Sequence, residues 1–268
     1  MLNSEPRISP IQLLPVLASL AFGIVCAYVG SMVTFGAQVL PFPEGPESIF
    51  NGLYFVVLAG VGATFLYFLI KRKKMRTISL ILGFALTVAI FMLSLFYLSV
   101  AFSFSFLTLI AASVLTAAAD FAVFKHGGRL SNIVILLIGG ALGAFLGILI
   151  YPLSAVLILA FLAIYDIYAV YRGPVGKIAQ HGLDELKGLS FSFRDVQMGL
   201  GDLTFYSMLA GMVLVNTNFL VCLASVVGIS AGVLLVLKMV EKRGIFPGLP
   251  FPIFLGLLPF FLYYLLKL

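Results

Sequence analysis

The sequence predicts an all-α polytopic membrane protein with nine transmembrane helices, the amino terminus cytoplasmic and the carboxyl terminus outside. Three observations predict it. Of the 268 residues, 62% are hydrophobic and 10% charged, where a water-soluble domain carries about 25% charged residues; the mean hydropathy is +1.20. The apolar runs suit helices of ~20 residues and lack the ~10-residue alternation of a membrane barrel. Lysine and arginine gather at alternate ends of those runs, the asymmetry that orients helices across a bilayer.

The spans follow in order. The first, 12–36, is too long for a cleavable signal and lacks a clear small-residue cleavage site. Span 49–70 lies between the loop "AQVLPFPEGPES" and the basic run "KRKKMR", and 77–99 and 102–119 follow. Span 131–151 carries Gly139, Gly143 and Gly147 at four-residue intervals, which predicts a close helix-packing face. Pro152 separates it from 153–171. After a cytoplasmic loop, 172–195, come 196–215 and 219–239, divided by "NTN", and then 247–266. With the amino terminus inside, fifteen of the sixteen Lys and Arg residues fall on the cytoplasmic side and only Lys267 outside. One span more or fewer would invert every later loop. The chain thus reads as one integral membrane domain: a six-helix part, 1–171, the loop 172–195, and a three-helix part, 196–268.

Composition excludes several function classes. The net charge of +6 is accounted for by cytoplasmic Lys and Arg, so no nucleic-acid partner is expected. Cys26 and Cys222 lie in apolar runs and read as small packing residues. No HExxH occurs, and the two histidines, His126 and His181, fall in loops. Zinc and Ser–His mechanisms therefore lack parts, and no metal or cofactor is expected.

Seven of the ten acids (Glu5, Glu44, Glu47, Asp184, Glu185, Asp195, Glu241) sit in loops or at helix ends. Asp120 is placed at the inner end of its span, within reach of solvent or headgroups. Asp166 and Asp202 lie inside spans, where an acid costs roughly 2.5–3.5 kcal/mol on insertion scales and is functional by default. The bland reading is a polar contact holding two helices together. Counted from Arg172 and Asp195, both acids lie about 9–10 Å in from the cytoplasmic face at 1.5 Å per residue, on consecutive antiparallel helices that are expected to be neighbours. Two carboxyls that meet in such a place do not both ionise readily, which leaves one acid and one carboxylate. An ionised member can take a proton from water while its protonated partner hydrogen-bonds a peptide carbonyl.

Two further elements support that chemistry. In "GLGD", 199–202, Gly199 is expected beneath the Asp202 carboxyl at i−3, and Gly201 would let another backbone approach, leaving a gap that a peptide needs. The bland reading is tight helix packing. In "FPGLPFP", 246–252, three prolines prevent a clean helix start. Unwound chain beside an acid pair could bind an extended peptide through its main chain; alternatively it is a simple helix-start cluster.

These residues together resemble the presenilin and signal peptide peptidase family of intramembrane aspartyl proteases. The likeness runs through "YD" (Tyr165, Asp166), "GLGD" (Gly199, Leu200, Gly201, Asp202) and "PGL" (Pro247, Gly248, Leu249), in order along the whole chain. It implies that Asp166 and Asp202 are catalytic, and that Tyr165, Gly199–Gly201 and Pro247–Leu249 contact substrate. The family's usual tripeptide is Pro-Ala-Leu; here Gly248 replaces the alanine. The derived orientation looks like the presenilin branch, implying single-span substrates with their amino termini outside. The short loops look like an archaeal homologue in the cell membrane, acting without obligatory partner subunits and leaving a homo-oligomer open.

The stretch "LSFSF", 189–193, alternates apolar residues with serine at a strand period. It is expected to be an edge strand that presents substrate, or else an amphipathic segment at the headgroup boundary. Two rival functions stand. A prepilin or preflagellin peptidase also uses a GxGD aspartate but has fewer spans. A proton- or cation-coupled transporter or channel could use the same acid pair.

Overall fold

A computed structural model describes residues 10–33, 40–173, 190–193 and 196–266. Among these residues nine α-helices occur: α1 Leu14–Gly30, α2 Ser48–Lys71, α3 Met75–Phe102, α4 Phe106–Asp120, α5 Gly128–Leu149, α6 Pro152–Tyr171, α7 Leu200–Asn216, α8 Phe219–Arg243 and α9 Pro250–Leu265. One antiparallel hairpin, β1 Ser190–Phe193 and β2 Val196–Gly199, precedes α7. In hydrocarbon every backbone N–H and C=O must be satisfied within its own segment, which is why such apolar runs become helices.

Seven helical stretches are long and apolar enough to cross a membrane; α7 and α9 are apolar but shorter. At 17 and 16 residues they span ~25 Å, short of a ~30 Å hydrocarbon core. Non-helical chain precedes both, β2 before α7 and residues 244–249 before α9.

Close contacts establish the helix directions. Gly23 of α1 abuts Gly140 of α5 and Gly30 abuts Ile148, so α1 and α5 run parallel. Gly139 faces Leu200 and Leu203, Gly143 faces Thr204 and Ser207, and Gly147 faces Met208 and Met212, so α5 and α7 are parallel too. Gly228 of α8 meets Leu255 of α9 and Gly232 meets Pro252, an antiparallel pair. The predicted glycine stripe of α5 is therefore the seat of α7. With alternating directions, Lys71–Lys74, Lys125, Arg129, Arg172, Lys242 and Arg243 gather at one end of the bundle, its basic end.

At the opposite end, loop residue Glu44 acts as a clamp. Its carboxylate accepts hydrogen bonds from the Leu153 N–H (2.9 Å) and the Ser154 hydroxyl (2.7 Å) at the start of α6. Ser48 of α2 donates to the same carboxylate (3.1 Å), and Asn51 donates to Ser154 (3.1 Å). A carboxylate at a helix N-terminus satisfies orphan donors and complements the helix dipole.

The structure corrects the sequence reading at three places. Residues 196–199 form a strand, not the first turn of a helix, so α7 begins at Leu200. The fourth helix continues past Asp120 as a π-helical segment, Phe121–His126. Asp120 is accordingly inside the span: one carboxyl oxygen accepts from Thr87 of α3 (2.8 Å) and the other is buried. The first helix ends at Gly30, and the predicted continuation over 34–36 lies outside the described residues. So does most of the loop 172–195, including Leu189 of the predicted strand; the described part, 190–193, is a strand as expected.

Candidate active site

Asp166 projects from α6, five residues before its end at Tyr171. Gly199 caps α7 with extended backbone (φ −75°, ψ 146°), so Leu200, Gly201 and Asp202 are its first three helical residues. Asp202 thus stands in the first turn, its carboxyl turned back toward Gly199, the position from which an acidic side chain reaches a cap N–H. The helix-start strand is the local reason: pairing with β1 holds Gly199 extended opposite Ser190.

The third element is the chain between α8 and α9. Gly244, at φ +78°, ends α8 in a conformation that favours glycine. Residues 245–249 then run without helix and pass directly against both acids. The Leu249 N–H donates to Asp166 Oδ2 (3.0 Å). A Cβ on Gly248 would stand 2.8 Å from Asp202 Oδ2 and 2.9 Å from Oδ1, so a side chain there would displace the carboxyl. Both carboxyls converge on this one dipeptide. Each is half-buried.

Tyr206 completes the arrangement. It is fully buried on α7, four residues beyond Asp202 and on the same face, and its hydroxyl donates to the Gly248 carbonyl (2.7 Å). The tripeptide is therefore held at consecutive groups, its 248 carbonyl by Tyr206 and its 249 N–H by Asp166. Sequence reasoning missed Tyr206. The available signal was a tyrosine at i+4 from the acid in an apolar helix, where a buried hydroxyl needs a partner.

The other predicted residues divide. Pro247 and Leu249 are buried beside the acids. Among the described residues little adjoins Gly199 and Gly201: a Cβ on Gly199 would meet only Asp202 at 3.8 Å and Gly201 N, and one on Gly201 only Phe205 at 4.0 Å. Neither glycine admits a neighbouring helix, in contrast to the stripe on α5. Leu200 turns to Gly139 of α5, and the Tyr165 ring faces Gly60 of α2 at 3.7 Å from where its Cβ would stand. Those two side chains thus border other helices.

Two neighbouring carboxyls that share one proton can in general activate water and polarise a carbonyl without any other group. Comparison with known proteins adds the fold. The chain is similar to a crystal structure in the C222 space group described as a presenilin family intramembrane aspartate protease, with TM-score 0.72, 21% identity, and 97% of this chain and 100% of that one covered. A crystal structure in the P2 space group under the same description gives TM-score 0.70 and 22% identity over 97% and 98% of the two chains. No family model and no curated protein matches the sequence.

Proposed function

We propose that the chain is an intramembrane aspartyl protease that hydrolyses peptide bonds within the transmembrane segments of single-span substrates. The observation that carries this reading is the convergence of Asp166 and Asp202 on Gly248–Leu249. Asp166 and Asp202 form a general acid/base pair. The ionised carboxyl removes a proton from water as its oxygen attacks the scissile carbonyl, and the protonated carboxyl donates to the carbonyl oxygen. The tetrahedral gem-diol then collapses, the leaving nitrogen takes a proton from the dyad, and a new amine and carboxyl result.

In this reading α7 and α9 are the seventh and ninth membrane crossings, with the amino terminus inside and the carboxyl terminus outside. The protein is a multi-pass protein of the cell membrane, of the archaeal type and without obligatory partner subunits. The six-helix and three-helix parts form one domain, since α5 of the first seats α7 of the second. Substrate lies in the open space before Gly199 and Gly201, its backbone beside Pro247–Leu249, with Tyr165 at the rim. The hairpin leading into α7 offers a strand edge to an unwound peptide. The primary test is cleavage of a single-span substrate by purified protein in detergent, with ion flux measured in parallel. Flux with every candidate substrate left intact overturns the protease in favour of a transporter or channel.

Three predictions arise from these parts. Tyr206→Phe removes a bond worth about 0.5–1.5 kcal/mol; kcat is expected to fall about 3–10-fold with KM nearly unchanged, alongside a small drop in melting temperature. A fall confined to KM would assign Tyr206 to substrate affinity instead. Gly201→Val fills space that no helix occupies, so the fold should survive while cleavage drops by at least about tenfold, the scale of ~1.4 kcal/mol. Unaltered cleavage rates would show that substrate lies elsewhere. Deletion of 189–193 should impair cleavage and binding of a dyad-directed inhibitor; normal values of both would remove the strand from substrate presentation.

A further inference from the structure

Between α1, α3, α4 and α5 lies a cavity of about 690 Å³ that none of the proposed chemistry uses. Its α5 wall, including Leu130, Val134, Ile138 and Ala141, lies on the face of that helix opposite the glycine stripe, at 100° per residue. From Leu130 to Ala141 the wall rises ~16 Å. The cavity is lined almost wholly by apolar side chains along that length. Three polar side chains line it: the Tyr97 hydroxyl, which donates to the Ala141 carbonyl (2.9 Å), the Ser94 hydroxyl and the Cys26 thiol; every other lining residue is apolar. Ordered water needs two to four polar partners, and along most of its length the lining is apolar side chains that supply none.

Two observations say what the occupant is. The space opens sideways onto the outer surface of the bundle through Val25 (59% exposed) and Leu115 (52%), so whatever surrounds the helices enters it. At the basic end, Leu130 of the wall adjoins Arg129, and Ala122 lies one turn from Lys125; both cations are exposed. Asp120, the nearest acid along α4, is turned to Thr87.

We propose that this cavity is a binding site for one hydrocarbon chain of an anionic phospholipid, whose headgroup is held by Lys125 and Arg129. Length and apolar lining select the chain, and the two exposed cations at its basic end select the charge. The chain backs α5 against α7, and so supports the helix that carries Asp202. This site stands independently of the protease reading.

The protein contains no tryptophan, which permits a direct test. Phe22→Trp places a single reporter on the cavity wall, read in phosphatidylcholine vesicles as brominated phosphatidylglycerol or brominated phosphatidylcholine is introduced. Quenching by the anionic lipid should saturate at a mole fraction roughly 10–30-fold lower than for the neutral one, as two nearby cations allow. Lys125→Gln with Arg129→Gln, both at exposed positions, should erase that preference. Ala118→Phe, which narrows the cavity, should remove the saturable component. Equal quenching by the two lipids, or a purely linear rise, overturns the proposal. Native mass spectrometry of the unsubstituted protein provides the second measurement: one retained phosphatidylglycerol supports the site, and equal retention of both lipids refutes it.

Discussion

Replacing Asp166 or Asp202 by asparagine should lower the cleavage rate at least ~10³-fold while leaving the protein folded. An amide is nearly isosteric with the carboxyl but can neither hold the shared proton nor accept one from water, and paired catalytic groups fail together when either is lost. The double variant should therefore be about as inactive as either single one. The Leu249 N–H can still donate to an asparagine oxygen at 166, so the tripeptide stays in place and thermal unfolding in detergent should shift little. On the protease reading the native protein should show a pH–rate profile with two limbs: activity needs one proton on the pair, so it falls when both carboxyls are protonated and again when both are ionised. Cleavage by either variant within tenfold of the native rate would remove the dyad from the chemistry.

The second large effect is structural. Gly143→Leu should prevent folding, because a Cβ there already collides with the Thr204 carbonyl and stands 2.6 Å from the Ser207 Cβ. Even Gly143→Ala forces α7 away from α5, an overpacking that costs about 1–3 kcal/mol. Small residues let membrane helices approach closely enough for dispersion to hold them, and hydrocarbon solvent offers no hydrophobic compensation for a lost contact. The Ala variant should unfold at lower temperature and lose activity through displacement of Asp202, measurable as detergent-phase melting alongside cleavage. A melting curve that matches the native one would mean that α7 is seated by other contacts. Gly201→Val offers the contrast: a glycine fronting open space, where loss should appear in turnover and not in melting.

Much of the molecule was legible from the chain alone because a bilayer makes local demands. Hydrocarbon requires helices of nearly fixed length, so the apolar runs located the nine helices of the described residues to within a few residues, apart from the ends of the first and fourth and the start of the seventh. Charge is expensive there, so Asp166 and Asp202 stood out without any knowledge of their neighbours. The four-residue repeat of Gly139, Gly143 and Gly147 announced a packing face, and three prolines announced an unwound stretch before α9.

What tertiary structure decided were the features that depend on residues distant in sequence. Whether 196–199 is strand or helix rests on pairing with 190–193, and that pairing moved Asp202 from mid-helix to the first turn. Tyr206 acquires a purpose only because the Gly248 carbonyl, 42 residues away, arrives at 2.7 Å. Glycines of the same appearance separate into those against a helix (Gly143) and those facing open space (Gly201) once the partners are in place. Periodicity and solvation act on each segment by itself and are written along the chain; hydrogen bonds and steric fit act between segments and exist only when the bundle closes.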